Sequence, residues 1–323
     1  QLINRAAGDF QGIREATILS ILLVVVVSVA LLLQKVILKS GSYDIIKGKS
    51  MRPTVIKLRS AKIPLLIISI VTLVIIVVVP LGMIFLVGLL KSYGLPLVPS
   101  NFDFSNYTKI LFNDKMVRDG VSNSLILAVS SGIFAMLLGV MIAYVIIKIK
   151  PKGKGALEFL ATLPYSLPGT VLAIGVILAW SGKILNINLY NTLWIIFIAY
   201  IARYLSFSMN AASAALRQVH PSLEEASRSC GASHTESLKD ITLPLIRPAM
   251  LSGFFLIFLP AMRELTTSSL LYGPYTRTLG VAIYMLRSDG YYTQASALAT
   301  LTILLIVVVN WIINFITKER KGV

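Results

Sequence analysis

Cysteine and histidine are scarce in this sequence, and their scarcity excludes several kinds of site. The single cysteine, Cys230, has no partner for an internal disulfide, and no Cys/His spacing typical of a metal centre occurs. The two histidines, His220 and His234, lie in or beside a polar stretch, where we interpret them as solvated loop residues. Neither a carboxylate pair nor a Ser/His/Asp set is recognisable. We therefore predict no catalytic residue, no metal site and no enzymatic activity in this chain.

Charged residues, and acidic ones above all, are also few. Charged residues make up 14% of the chain and apolar residues 56%, with a mean hydropathy of +0.81, which is the composition of a membrane protein. Thirty Lys and Arg against fourteen Asp and Glu give a net charge of +16. In a soluble protein this excess would indicate nucleic-acid binding, but polytopic membrane proteins concentrate Lys and Arg in cytoplasmic loops. We therefore predict membrane lipid, and no nucleic acid, as the partner of this charge.

Seven apolar runs reach the roughly 20 residues needed to cross about 30 Å of hydrocarbon. They cover residues 16–38, 63–90, 121–149, 156–180, 190–216, 248–271 and 295–316. Gly132 and Gly139 interrupt the third run, and Pro164, Pro168 and Gly169 interrupt the fourth. Irregular backbone at membrane depth is tolerated only where protein or water covers it. The fourth span is therefore a candidate for lining a path through the membrane, with a simple packing kink as the alternative.

Lys and Arg cluster in segments that alternate correctly with the spans. These segments are residues 35–62, residues 148–155 and the tail with Lys318, Arg320 and Lys321, and the positive-inside rule assigns them to the cytoplasm. The polar segment 217–247 falls on the same side. Residue Gln1 and the segments 91–120, 181–189 and 272–294 then face outside. The sequence thus predicts an all-α, multi-pass integral membrane protein.

The first span differs from the other six. It is nearly uniform Leu, Val and Ile, and a long basic linker containing "KGKSMRP" separates it from the rest. We predict that residues 1–62 are the last transmembrane helix of an upstream module with its cytoplasmic linker, and that residues 63–323 are a six-helix unit. The chain begins with Gln1 and has no signal-peptide pattern, so we expect it to be a piece of a longer protein.

The linker also contains a possible phosphate-binding loop, which we reject. Six residues separate Gly41 from Gly48, whereas GxxxxGK[ST] requires four, and no strand precedes it. Any ATP must therefore be hydrolysed by another chain.

The stretch "LEEASRSCGASHTESLKDITLPLIRP", residues 223–248, is the least apolar long segment outside the linker. Ser222 and Glu225 fit the S-x-x-E capping box, and Ser233 and Glu236 repeat it. Between them Gly231 is the residue type that ends a helix in a left-handed conformation. The pattern predicts two short cytoplasmic helices with a sharp bend, the second ended by Pro244, and a membrane span opened by Pro248.

The spacing within this stretch resembles the EAA loop of binding-protein-dependent ABC importer permeases, whose pattern is EAA-x3-G-x9-I-x-LP. Matching positions are Glu225, Ala226, Ser227, Gly231, Ile241, Leu243 and Pro244, and only Ser227 departs, because the pattern has alanine there. The resemblance implies that this loop, with Ser222 at its start, is a coupling helix that docks on an ATPase subunit and transmits nucleotide-driven closure to the membrane.

The resemblance implies a fold, a location and partners. The fold would be the six-helix core of a type I ABC importer permease, preceded by one extra transmembrane helix, in the bacterial inner membrane. The partners would be an ATPase dimer on the cytoplasmic face, a periplasmic or extracellular substrate-binding protein, and a second permease module, either upstream in the same chain or in a homodimer. This chain would hold no cofactor, because ATP and Mg would bind to the ATPase.

Three further segments are similar to ferric-iron permeases within this family. They are "AMRELTTSSLLYGPYTRTLGVAIY" with "GYYTQASALA", the stretch "LPYSLPGTVLAIG", and the leading helix with its linker, which is similar to the junction of fused, two-module ferric permeases. Polyamine, thiamine and phosphonate permeases share much of this. We therefore expect ferric iron as the substrate, with another small solute as the alternative, and an ion-driven secondary transporter as a further one.

Arg263 and Glu264 are the only adjacent charged pair within a predicted span. Charge at membrane depth is costly, so such residues usually face the bundle interior or a water-filled path. Arg263 would steer an anion-coordinated ferric ion or close a gate with a carboxylate, and the alternative is an interhelix salt bridge. Arg203 in the fifth span raises the same question, and there we favour a structural role.

Overall fold

The helical character predicted from hydropathy is present throughout the structure. The computed structural model describes residue 18, residues 21–30, residue 33, residues 61–182 and residues 186–319. The described residues form helices and connecting turns without a strand, so the prediction of an all-α protein is confirmed. The helices are α1 Ile21–Ala30, α2 Lys62–Leu89, α3 Ser105–Thr108, α4 Lys115–Ile149, α5 Lys154–Ser166, α6 Gly169–Trp180, α7 Leu193–Gln218, α8 Pro221–Ser229, α9 His234–Met262, α10 Ser268–Leu271, α11 Leu279–Ser288 and α12 Tyr292–Glu319.

Five of these helices, α2, α4, α7, α9 and α12, are long and apolar enough to cross a membrane. The pair α5 and α6 passes the same test together, but a 113° bend separates its two halves. The six-helix core predicted from the sequence is therefore confirmed. One of its six spans, the predicted span 156–180, is broken into α5 and α6. Of the first predicted span, the structure describes residue 18, α1 and residue 33, and of the basic linker it describes only residues 61 and 62. The division at residue 62 stays a prediction.

The core of the bundle lies where α4, α7 and α9 pack together with α6. Leu127, Ile195, Ile196, Tyr200 and Ile257 are fully or almost fully buried there. A second cluster, around Met209, Leu216 and Ile246, joins the cytoplasmic ends of the same three helices. Lipid is as apolar as these side chains, so close packing and interhelical hydrogen bonds, rather than water exclusion, hold such helices together. By contrast, α2 is exposed along residues 62–81 and contacts α12 only towards its end.

Contacts at the two ends of the bundle are consistent with the predicted assignment of loops to the two sides of the membrane. At the proposed outer face, the Asn123 amide at the start of α4 donates to the carbonyls of Tyr275 (3.0 Å) and Arg277 (2.9 Å). At the proposed cytoplasmic face, Lys148 forms an ion pair with Glu224 (3.1 Å). The ion pair thus joins the segments 148–155 and 217–247, which the sequence assigns to the same side.

The sixth predicted span, 248–271, is displaced in the structure. Helix α9 begins at His234 and ends at Met262, so Pro244 does not end a helix and Pro248 does not open one. The reason is a wide π-type turn at Leu238–Thr242, in which the Leu243 amide donates to the Leu238 carbonyl five residues back. A wide turn accommodates the proline ring and its missing N–H without breaking the helix. Helix α4 likewise continues through Gly132 and Gly139.

Candidate functional site

Helix α8 and the first turns of α9 form a bent helical hairpin at the end of the bundle that the sequence assigns to the cytoplasm. Helix α8 ends at Ser229, and Gly231 then takes a φ of +95°, the left-handed conformation predicted for it. A Cβ built on Gly231 would meet nothing within 4 Å, so only backbone conformation, and not packing, demands glycine here. The chain turns sharply at this point and enters α9.

The two predicted capping boxes have different outcomes. Ser233 and Glu236 form one as expected: the Ser233 amide donates to Glu236 Oε2 (2.7 Å), and the Glu236 amide donates to Ser233 Oγ (3.2 Å). Ser222 is not an N-cap. The N-cap lies two residues earlier, at His220, so that α8 starts at Pro221, and the Nδ1 of His220 accepts from the Ser222 amide (3.3 Å). Proline at the first helical position, with its fixed φ and no N–H, shifts the start.

Ser233→Ala should destabilise the first turn of α9 by about 1 kcal/mol, because it removes one side of the capping box. Amide hydrogen exchange over residues 234–237 measures the effect, and Ser222→Ala is the matched control, since Ser222 caps no helix. Equal exchange rates in the two variants would contradict this assignment of the cap.

The residues of the EAA-like spacing divide into an outward and an inward group. Ser222, Glu225, Ala226, Gly231 and Pro244 are exposed, whereas Ser227, Ile241 and Leu243 are half-buried. Leu243 packs against the cytoplasmic apolar cluster of α4, α7 and α9. One group is therefore available to a partner, and the other fixes the hairpin to the bundle.

Glu224, which the spacing did not single out, makes the principal polar contacts of α8. Its Oε1 lies 3.1 Å from Lys148 Nζ and accepts from Thr242 Oγ1 (2.7 Å). The neighbouring Glu225 points outward and is exposed. The signal that could have identified Glu224 is helical geometry, because adjacent residues of a helix point about 100° apart. Glu224 and Glu225 therefore point in different directions from α8.

Beside α8 lies an open cavity of about 1100 Å³. Its charged lining is mainly basic, with Glu158, Glu224 and Glu225 as the acidic members; the basic members are Lys148, Lys150, Lys154, Arg217 and Arg228. Residues of the segments 148–155 and 217–247 thus line one largely basic cavity beside α8.

The predicted irregularity of the fourth span is a complete break. Helix α5 continues through Pro164 and ends at Ser166, Leu167 and Pro168 are extended, and α6 starts at Gly169. Gly169 is pressed against the segment after α9: a Cβ there would lie 2.8 Å from Thr266 Cβ and 2.9 Å from Thr267 Oγ1. Only glycine allows so close an approach, so the break at 167–169 and the segment 263–267 fit directly together.

A group of polar side chains lies at this contact; we call it the Glu264 cluster (Arg203, Tyr204, Glu264, Thr266 and Thr267). Glu264 Oε1 accepts from Thr266 Oγ1 (2.6 Å) and from the Thr267 amide (2.9 Å). Its Oε2 accepts from the Tyr204 hydroxyl and lies 3.7 Å from Arg203 Nε. Arg203 Nη1 also donates to the Leu167 carbonyl (3.4 Å). One ion pair therefore joins α7 to both irregular segments.

The residues predicted for the translocation path or gate only partly come together. Pro168, Gly169 and Glu264 meet at the Glu264 cluster, and Pro164 lies one turn away in α5. Arg263 does not join them: it is exposed and caps the C-terminus of α9. The adjacent pair was thus wrongly placed inside a helix. The Glu264 side chain bonds to the turn that follows it, and such local bonds compete with helix continuation.

Glu264 has no free oxygen for another ligand in this conformation. Both oxygens accept hydrogen bonds, the side chain is 9% exposed, and Arg203 balances its charge. In this conformation the Glu264 cluster is a structural junction. It contains an ion pair between elements, which was the alternative considered from the sequence, but the arginine is Arg203 and not Arg263. A role in a path requires that this junction rearrange.

Known proteins resemble this chain in sequence and in fold. Residues 135–321 match the family described as binding-protein-dependent transport system inner membrane component. The ferric transport system permease protein FbpB of Actinobacillus pleuropneumoniae is 30% identical over 99% of this chain. The chain spans only 46% of that relative's length. The putative 2-aminoethylphosphonate permease PhnV of Salmonella typhimurium is 29% identical over 68% of this chain and 81% of its own length.

Two solved structures show the same fold at low identity. A bacterial alginate ABC transporter, in complex with its alginate pentasaccharide-bound periplasmic protein, matches with a TM-score of 0.64 at 18% identity, over 80% of this chain and 94% of that one. The MetNI methionine ABC transporter matches with a TM-score of 0.53 at 19% identity, over 63% and 95%. With its broken-helix bundle and its hairpin of EAA-like spacing, this chain belongs to the binding-protein-dependent transport system inner membrane components, the permease subunits of ABC importers.

Proposed function

We propose that this chain forms the membrane path of an ATP-driven importer of ferric iron. The observation that carries the substrate is the 30% identity to a ferric transport permease, which extends over 99% of the chain, including the segment before residue 63. The match to the phosphonate permease covers 68%. A resemblance that includes the leading segment favours the ferric permease as the nearer functional parallel.

The proposed cycle is alternating access driven by a separate ATPase. A loaded binding protein docks on the outer loops, and ATP closes the ATPase dimer on the cytoplasmic side. The hairpin of α8 and the start of α9 follows that closure and opens the bundle outward. Hydrolysis then resets the inward-open state. The chain itself holds no cofactor in this proposal, since ATP and Mg belong to the ATPase.

The division of the EAA-like residues supports this role for the hairpin. The exposed Ser222, Glu225 and Ala226 would contact the ATPase, while the half-buried Ile241 and Leu243 would carry its movement into α9. A second permease module, upstream in the same chain or in a homodimer, is a further proposed partner. Lipid or that module would cover the apolar residues 63–81 of α2, which are exposed among the described helices.

Uptake of radiolabelled ferric iron tests the substrate. The full-length permease is expressed with its ATPase and its binding protein in cells that lack other ferric importers, and ATP-dependent uptake should exceed the background at least tenfold. A variant ATPase that cannot hydrolyse ATP serves as the control. Competition with excess putrescine and 2-aminoethylphosphonate should leave iron uptake unchanged.

The same assay decides between the substrate candidates. A system that accumulates labelled putrescine, thiamine or 2-aminoethylphosphonate but no iron overturns the ferric assignment and leaves the importer assignment intact. Uptake that depends on an ion gradient and ignores ATP would instead support a secondary transporter, which the family match does not favour.

A further inference from the structure

Among the residues that the structure describes, Glu224 is the side chain of α8 that forms an ion pair with a membrane helix. It contacts Lys148 at the cytoplasmic end of α4 (3.1 Å) and Thr242 in the first turns of α9 (2.7 Å). The two partners belong to different helices of the bundle core. A single carboxylate therefore holds three elements together.

The contact is sheltered from solvent. The side chains of Lys148 and Glu224 are 13% and 19% exposed, and Thr242 is fully buried. Ion pairs at exposed sites contribute little because water and salt screen them, whereas screening is weaker for partly buried pairs. Lys148 Nζ also lies 3.4 Å from the Val219 carbonyl, so the same ammonium group is near the junction of α7 and α8.

Apart from the Glu224 side chain, α8 is connected through its two junctions and through a long hydrogen bond from Ser237 Oγ to the Glu224 carbonyl (3.5 Å). Its N-terminal junction is the short link at Val219 and His220, and its C-terminal junction is the turn at Gly231. None of its residues is buried, and Leu223 is 46% exposed. Without Glu224, a displacement of α8 would be taken up largely by these two junctions.

We propose that Glu224 is the positioning residue that makes α8 move as one body with the cytoplasmic ends of α4 and α9. The proposal rests on the proposed function of the hairpin as the coupling element. Glu225, one position along, is exposed and would contact the ATPase, whereas Glu224 contacts the bundle. Docking and transmission are thereby assigned to adjacent residues.

The first test reads transport and hydrolysis together. The complete importer, with ATPase and binding protein, is reconstituted in vesicles, and ferric uptake is divided by ATP hydrolysed. Glu224→Gln should lower this ratio about fivefold or more, while hydrolysis stays within about twofold of wild type. Glu158→Gln is the control, because Glu158 lines the same cavity and forms no ion pair among the described residues.

Further variants separate positioning from simple loss of folding. Thr242→Val removes one hydroxyl at constant shape and should lower the ratio less than Glu224→Gln. The exchange Lys148→Glu with Glu224→Lys should restore the ratio to within about twofold of wild type. A wild-type ratio in Glu224→Gln overturns the proposal, and so does a loss of ATPase binding that the exchange fails to restore.

A second measurement does not depend on the substrate. A nitroxide attached to Cys230, which is exposed, reports the motion of the hairpin in the full-length permease once any cysteine outside the present sequence has been replaced by serine. Glu224→Gln should increase label mobility, and Glu158→Gln should not. Unchanged mobility overturns the proposal. Wild-type vesicles without ATP-driven uptake would instead overturn the proposed function, whatever the label shows.

Discussion

Glu264→Ala is expected to lower the free energy of unfolding by about 2–4 kcal/mol, since it leaves the Arg203 side chain, only 15% exposed, without its counter-charge. The same substitution removes the acceptor of the Tyr204 hydroxyl, of Thr266 Oγ1 and of the Thr267 amide. The segment after α9 would lose what fixes it against the break in the fourth span. Thermal unfolding of the purified full-length permease in detergent measures the loss.

Arg263→Ala is the matched control for this prediction. Arg263 is adjacent in sequence but exposed, so its removal should change the unfolding free energy by less than about 0.5 kcal/mol. The double variant Arg203→Met with Glu264→Leu should be more stable than Glu264→Ala, because no buried charge remains unpaired. If Glu264→Ala and Arg263→Ala unfold alike, the cluster is not the junction described here.

Gly231→Val is expected to reduce ATP-dependent uptake about tenfold or more while the protein still reaches the membrane. A β-branched residue in the left-handed region costs about 1–3 kcal/mol, and the bend can relieve this only by changing its shape. The surface presented by α8 would then no longer fit the ATPase. Since a Cβ at this position meets no neighbour, the effect is one of backbone conformation.

Two variants make this test specific. Gly94→Val introduces the same strain in the outer segment 91–120, where φ is +90° and a Cβ also finds open space, and it should leave coupling intact. Gly231→Asn should transport better than Gly231→Val, because asparagine tolerates the left-handed region. Normal uptake by Gly231→Val would show that the bent hairpin is not the coupling element.

Hydropathy predicted the spans of the six-helix core well, because it depends on composition over about 20 residues. The sidedness assigned from charge stays a prediction. Helix ends were less predictable. Pro244 has the signature of a helix stop, yet a wide turn just before it absorbs the ring. Residues 263–271 were included in the sixth predicted span, yet the helix ends at Met262 and Glu264 bonds to the turn that follows. Both outcomes depend on a few hydrogen bonds that average composition does not reflect.

The sequence predicted which segments form the site, but not which of their side chains contact each other. Spacing identified Glu225 and Gly231, but it could not show that Glu224 faces the bundle. Arg203 and Glu264 were each noticed as charges at membrane depth, yet 61 positions separate them in sequence. Their opposite signs, in a region with so few charges, were the one signal that could have paired them.

The wide turns at the cytoplasmic ends of α4 and α9 have a consequence for how this joint is built. Lys148 lies in the turn Val145–Ile149 and Thr242 in the turn Leu238–Thr242, and both contact Glu224. A wide turn contains one residue more than an α-helical path, which rotates everything beyond it by about 100°. The inserted residue therefore changes the direction of the side chains beyond it without altering the faces that α4 and α9 present within the membrane. Insertion or deletion of one residue in these turns, as much as substitution, would therefore change which side chains contact Glu224.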